Sequence, residues 1–348
     1  MDIQDLLKLT IDKGASDLHV TEGAPPILRI DGKLISMDYS PLSGENTKDM
    51  IYNMLTDDQK VEFEENWELD FSFAIPDLGR FRINVHLEKG NVEAAFRSIA
   101  LNIKTLKDLG LPSVVTELSR KPNGLVLITG PTGVGKTTTL AAMLDLINSE
   151  RASLIITVED PIEYLHNHKK SIVKQREVHS DTKSFANALK HVLRQDPDVI
   201  CVGEMRDLET ISTALTAAET GHLVLTTLHT PDVEQTVDRI IDVFPPHQQQ
   251  QVRIQLAGSI QGIVSQQLFP RTDRTGRVVA TEILVATPAV RNVIREQKTE
   301  QISTILQTGG KLGMHTMDKS IKELYQRGII SHESAIAKVK NQSEFKKL

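Results

Sequence analysis

The spacing of apolar and polar positions changes rhythm near residue 125. Before it, the pattern is that of mixed helix and short strands. Asp5 to Asp12 reads as a helix. Asp17-Leu18-His19-Val20 and Ile27-Leu28-Arg29-Ile30 read as strands around the turn Glu22-Gly23-Ala24-Pro25-Pro26, with Asp31-Gly32 as a further turn. Leu69 to Ala74 and Arg80 to Ile99 add strand patterns. In the second of these, Phe81, Ile83, Val85 and Leu87 alternate with Arg80, Arg82, Asn84, His86 and Glu88, and Gly90-Asn91 is a two-residue hairpin signal. A turn there pairs position 89 with 92. Arg82 then faces Ile99 and Arg97 faces Asn84, so the two arginines are diagonal neighbours on the polar face. Phe81, Ile83, Val85, Ala94, Phe96 and Ala100 share the apolar face. On pattern alone, the polar face is an ordinary solvated one.

Residues 99–120 read as a linker, with breaks at Pro112 and Lys121-Pro122-Asn123-Gly124. Beyond them, strands alternate with helices, which predicts an α/β fold with a largely parallel sheet. Four apolar runs stand out: Leu125 to Thr129, Leu154 to Val158, Asp198 to Val202 and Leu223 to Thr227. Each runs straight into polar chemistry: the Gly130 loop, then Glu159-Asp160-Pro161-Ile162-Glu163, then Gly203-Glu204, then Leu228-His229. Ligands of open parallel sheets sit at the carboxyl ends of strands, so one nucleotide crevice accounts for all four. Phe185, Ala188, Leu189, Val192 and Leu193 give one helix face, and Leu208 to Thr220 gives another helix closed by Gly221. From residue 286 on, only short helices are expected, around Ala289–Gln297, Gln301–Thr308, Met317–Arg327 and His332–Lys340. The expected domains are 1–98, 121–285 and 286–348, joined by the linker.

Composition narrows the function. Charge is −6 over 348 residues and aromatic content is 4%, which argues against a basic, base-stacking nucleic-acid channel. The single cysteine, Cys201, sits in the run Val199-Ile200-Cys201-Val202, so it is expected as a core residue, and no disulfide framework or cysteine zinc cluster is expected within one chain. Met1 to Asp5 carries neither a basic region nor an apolar stretch, so no secretory signal is expected. No apolar run reaches the ~20 residues of a membrane span, and the expected location is the cytosol.

Gly130-Pro131-Thr132-Gly133-Val134-Gly135-Lys136-Thr137 matches the phosphate-binding pattern G-x-x-x-x-G-K-[ST] between a strand and a helix. The glycines let backbone N–H groups converge on phosphates at the positive end of a helix. Lys136 adds a point charge on the β- and γ-phosphates, the Thr137 hydroxyl ligates Mg2+, and Thr138 completes the nucleotide-binding set. Hydrolysis of ATP also needs a group that orients water and a further acid on Mg2+. Glu204 stands where that metal-side acid belongs, and Glu159, Asp160 and Glu163 are candidates for the base. His222 and His229 bracket the fourth strand, where spacing alone does not assign them.

These motifs resemble those of the secretion-superfamily ATPases, on the branch that retracts type IV pili. The resemblance spans nearly the whole chain. It is carried by Gly14-Ala15-Ser16-Asp17-Leu18-His19, Arg29-Ile30-Asp31-Gly32, the Gly130 loop, Glu159-Asp160-Pro161-Ile162-Glu163, Leu193-Arg194-Gln195-Asp196-Pro197-Asp198 through Gly203-Glu204-Met205-Arg206-Asp207, and Thr220-Gly221-His222 to Thr227-Leu228-His229-Thr230. It implies a RecA-like ATPase domain, a smaller PAS-like α+β domain before it, a helical C-terminal tail and a homohexameric ring. It also implies Glu163 as general base, Glu204 as the magnesium-side acid, His222 and His229 as γ-phosphate sensors, and Arg82 and Arg97 as arginines that reach the nucleotide. That last point replaces the solvated-face reading. The implied partners are an inner-membrane pilus platform protein and a second retraction ATPase. Membrane association would come only through partners, at the cytoplasmic face of the inner membrane, and no nucleic acid is expected. Ala289-Val290-Arg291-Asn292-Val293-Ile294-Arg295-Glu296 resembles the retraction branch's C-terminal motif, with Val290 and Val293 where that motif has Ile and Leu. The competing readings are an assembly ATPase of a pilus or type II secretion system, a RecA-like nucleic-acid translocase, and a non-hydrolysing scaffold.

Overall fold

A computed structural model describes residues 2–30, 32–75, 79–99 and 103–342. By contact the chain divides into two units: residues 1–102 with 161–165, and residues 103–160 with 166–348. The sequence-predicted turn at Asp31 and the apolar position Ala100 lie outside the described residues.

The first unit runs α1 (Ile3–Asp12), β1 (Asp17–Val20), β2 (Ile27–Ile30), β3 (Lys33–Ser36), α2 (Gly44–Tyr52), α3 (Asp57–Asn66), β4 (Glu68–Ile75), β5 (Gly79–Glu88) and β6 (Asn91–Ile99). The strands form one antiparallel sheet in the order β3-β2-β1-β6-β5-β4. Helices α2 and α3 begin with reciprocal capping boxes at Ser43/Asn46 and Thr56/Gln59, which satisfy the free N–H groups of their first turns. Phe81, Ile83, Val85, Ala94 and Phe96 turn into the core with Leu6, Leu7, Leu18 and Phe63, as the alternation predicts.

The β5–β6 hairpin turns one position earlier than expected. Glu88 faces Asn91, so Lys89-Gly90 form the turn, with φ of +50° and +86°. Positive φ at both central residues gives the twist that a two-residue hairpin needs, and Lys89 accepts the left-handed conformation while Gly90 does so freely. The pairing therefore moves by two, which keeps every side chain on its face but changes its neighbours. Arg82 lies directly opposite Arg97 rather than diagonal to it.

The second unit continues with α4 (Ser113–Ser119), β7 (Gly124–Thr129), α5 (Lys136–Glu150), β8 (Leu154–Glu159), β9 (Ile172–Glu177), α6 (Phe185–Val192), β10 (Val199–Val202), α7 (Leu208–Glu219), β11 (Leu223–Leu228), α8 (Val233–Asp242), α9 (Pro246–Ser259), β12 (Ile260–Pro270), β13 (Arg277–Val285), α10 (Pro288–Arg295), α11 (Ile302–Thr308), α12 (Met317–Gln326) and α13 (His332–Ile336). Its sheet has the order β13-β12-β7-β11-β10-β8-β9, parallel except for β13. Along β7, Leu125 and Leu127 join one core cluster while Val126 and Ile128 join the other. A strand covered on both faces reads as a continuous apolar run, which is why these strands were visible in the sequence. Cys201 is buried in this core, and burial raises its thiol pKa well above the ordinary value.

Part of the expected linker belongs to this unit. Leu106, Leu111, Val115 and Leu118 pack in the core with Val126 and Ile128, and α4 lies against α5 and β12. Likewise, α10 and α11 send Val290, Ile294, Ile302 and Leu306 into the main core of the ATPase sheet. No described helix is long and apolar enough to cross a membrane.

Candidate nucleotide site

The register of the second sheet brings the site together. Thr129 at the end of β7 pairs with Leu228 at the end of β11, so Gly130 and His229 emerge side by side. Val202 pairs with Thr226, so Glu204, two residues on, comes level with the same edge. Gly130 has φ +137°, and a Cβ there would stand 2.5 Å from the Gln266 carbonyl and 2.9 Å from Val134 Cγ2. Only glycine fits that position. Gly135 caps α5 in the left-handed conformation without a side-chain cap bond. The N-terminal end of α5, where the helix dipole favours an anion, opens directly from this loop.

The Lys136 side chain is nearly buried and folds back over the loop, donating to the carbonyls of Gly130 (2.8 Å) and Pro131 (3.0 Å). His229 Nδ1 lies 3.4 Å from Lys136 Nζ and 3.2 Å from Thr132 Oγ1. Its Nε2 lies 3.3 Å from Glu204 Oε1, while Arg206 donates to Glu204 Oε2 at 2.8 Å. Burial opposes charge on Glu204, but Arg206, His229 and Lys136 outweigh it and hold the carboxyl below its usual pKa. Glu204 therefore stays an anion through the neutral range. Arg206, Gln266 and the contact between Thr132 and His229 were not singled out from the sequence. Arg206 was legible only as part of the run Glu204-Met205-Arg206-Asp207.

The other candidates fall elsewhere. Glu159 Oε1 accepts from Thr157 Oγ1 (2.6 Å) and Gln175 Nε2 (3.1 Å), which commits it to holding the strand end. Asp160 is exposed and acts electrostatically on Arg206. Glu163 is exposed, in the segment 161–165 that groups with the first unit, so the second unit by itself does not position it. His222 lies apart from these groups. It precedes β11, its carbonyl accepts from Gly124 N at the start of β7, and its Nδ1 is 2.9 Å from the Ala217 carbonyl. The strand between it and His229 has six residues, about 20 Å at the usual rise, so His222 lies at the opposite edge of the sheet from the Gly130 loop of its own unit.

In the first unit, one cross-strand row reads Ser72, Arg82, Arg97, Asp17, Arg29. Arg97 Nε donates to Asp17 Oδ1 at 2.9 Å, and Arg29 Nε lies 3.8 Å from Asp17 Oδ2. Burial would raise the Asp17 pKa, but the Ser16 hydroxyl and Arg97 prevail and lower it. Like charges directly opposite repel, and Asp17 offsets this for Arg97.

Oxygen donors suit Mg2+, which keeps several waters and is usually held by one or two protein groups together with phosphates. The half-buried Thr137 hydroxyl in the first turn of α5 and the ionised Glu204 are such a set. No group of three or more His, Cys, Asp or Glu that could hold a metal by itself occurs among the described residues.

Residues 94–337 match the family model described as type II/IV secretion system protein. Over 345 residues the chain is 49% identical to the type IV pilus retraction ATPase PilT of Pseudomonas aeruginosa, covering 99% of this chain and 100% of that one. It is 48% identical to a twitching motility protein of Neisseria gonorrhoeae, covering 91% and 84%. A crystal structure of the pilus retraction motor PilT with bound ADP superposes with a TM-score of 0.94 at 48% identity, covering 100% of both chains. The phosphate loop, the acid and histidine at the strand ends, and these likenesses agree: the chain is an ATPase and belongs to the type II/IV secretion system protein family.

Proposed function

We propose that this chain is the motor subunit of a homohexameric ring that couples hydrolysis of ATP, with Mg2+, to retraction of a type IV pilus and so to twitching motility. The observation that carries the reading is full-length similarity to a pilus retraction ATPase in a chain whose Lys136, His229 and Glu204 are already assembled around the phosphate loop. Lys136 exchanges the Gly130 and Pro131 carbonyls for phosphate oxygens. Thr137 and Glu204 would hold Mg2+, which would neutralise charge developing on the phosphates. His229, between Lys136 and Glu204, contacts the γ-phosphate in this reading. Glu163 takes the proton of the attacking water, and Arg82 and Arg97 stabilise charge developing on the phosphoryl group. His222 is left without a role at the nucleotide of its own unit. Such a motor acts at the cytoplasmic face of the inner membrane through a pilus platform protein. The test is a deletion strain complemented with wild type or Lys136→Ala. Wild type restores twitching and pilus retraction. Lys136→Ala restores neither, and the purified variant releases phosphate only at background. Retraction restored by Lys136→Ala would overturn the reading.

A further inference from the structure

Behind the phosphate loop lies a chain of buried hydroxyls. Thr129, Thr236 and Ser265 are wholly buried and Thr230 nearly so. Thr236 Oγ1 donates to the Asp232 carbonyl at 2.6 Å. With its one proton committed, it accepts from Thr230 Oγ1 at 2.6 Å. It also lies 3.5 Å from Thr129 Oγ1, which is 2.6 Å from Ser265 Oγ. Two members of this chain adjoin the site. Thr129 is the residue before Gly130, and Thr230 is the residue after His229. The turn between them and α8 is held from outside as well. Glu282, buried on β13, accepts from Val233 N (3.0 Å) and Met317 N (3.2 Å), and Asp232 Oδ2 takes Lys340 Nζ at 2.7 Å.

Valine would fill the same volume as each threonine without a buried polar atom to satisfy. Replacing one threonine alone would leave its buried partner without a hydrogen bond, so the four hydroxyls act as one network that fixes a geometry. The geometry they fix is the spacing between the base of the phosphate loop and the histidine that bridges Lys136 to Glu204.

We propose that Thr236 is a positioning residue for ATP hydrolysis: by hydrogen-bonding Thr230 and the Asp232 carbonyl while lying against Thr129, it holds His229 in register with Lys136 and Glu204. This rests on the reading of His229 as a γ-phosphate contact. Thr236 touches no reacting atom, so its loss should slow turnover and leave nucleotide binding largely intact.

The test is a double-variant cycle on purified protein, with steady-state phosphate release and titration of a fluorescent ATP analogue. Thr236→Val should lower kcat about tenfold with KM for ATP changed less than about twofold, and Thr236→Ser should restore the rate. Thr236→Val combined with His229→Ala should be no slower than His229→Ala alone, because both remove the same function. Wild-type turnover in Thr236→Val, or losses that multiply in the double variant while His229→Ala alone is slow, would overturn the positioning role. Wild-type turnover in His229→Ala would instead overturn the reading of His229, and the proposal with it. Should Thr236→Val fail to fold by circular dichroism, the same cycle with Thr230→Val gives the same decision.

Discussion

Individual carboxylates and histidines in this chain take their roles from what surrounds them. Glu204 and Glu163 both stand after strand ends in the sequence, yet Glu204 is gripped by Arg206 and His229 while Glu163 is exposed. The two should fail differently. Glu163→Gln keeps ATP binding and loses hydrolysis, because an amide cannot take a proton from water. Glu204→Gln weakens the Mg2+ dependence of nucleotide binding. Titration of a fluorescent ATP analogue against Mg2+ separates them, and a Glu163→Gln protein unable to bind ATP would contradict the assignment. His166 gives a pH prediction. Burial lowers its pKa from the ordinary 6.5 to about 4, and its buried Nδ1 has no hydrogen-bond partner among the described residues. The unfolded chain takes up that proton near 6.5 and the folded chain only near 4, so the folded state loses stability as pH falls between them. From pH 7 to pH 5 the loss is about 2 kcal/mol, and it should shrink in His166→Gln. Denaturant melts at the two pH values measure it. An equal loss in both proteins would exclude His166 as the source. Lys136, Thr137 and Glu204 stood out as candidates because motif and strand-end position coincide, and His229 only through the family resemblance. Burial of His166 and the partner of Asp17 were not legible, since both depend on contacts distant in sequence.

At the scale of elements, strands covered on both faces announced themselves as apolar runs, and the C-terminal helices did so by their spacing. β12 and β13 did not. β12 carries Gln261, Ser265, Gln266 and Gln267 through the sheet, with Ser265 and Gln266 buried, so its polar positions break the alternation that marks a strand. The Lys89-Gly90 turn was missed by one residue because Gly90-Asn91 is as good a hairpin signal, and only the register chooses between them. Helix α10 shows how one motif divides its labour. Val290, Val293 and Ile294 are buried, and the Arg291 guanidinium donates to the carbonyls of Ala257 and Gly258 near the end of α9. A cation there satisfies helix-terminal carbonyls and complements the dipole. Arg291→Ala should therefore cost about 1–2 kcal/mol of stability, measured by denaturant melts. Asn292, Arg295 and Glu296 are exposed. Replacing all three by Ala should spare ATP turnover and stop retraction in the complemented strain. Turnover as low as that of Lys136→Ala would place this face in the catalytic unit instead.

For the whole molecule, the decisive fact is that the phosphate loop and the arginine pair belong to different units. Within the first unit, nothing about the hairpin requires arginines there. Arg82 and Arg97 face each other across the strands, and like charges so placed repel. Stability alone gives no reason for that pair, and a multiply charged anion as partner would offset the repulsion. ATP is such an anion. Arg82→Ala and Arg97→Ala should each cut turnover strongly. Their effects on stability should differ. Arg97 is mostly exposed but pairs with the nearly buried Asp17, so its removal should cost up to about 1 kcal/mol. Removing Arg82 relieves repulsion and should leave the melting temperature unchanged or slightly higher. A distance measured between labels on the two units should change with nucleotide in wild type and much less in either variant. Variants that hydrolyse ATP at the wild-type rate would return Arg82 and Arg97 to a solvated hairpin face, and the row they share with Asp17 to an ordinary surface network.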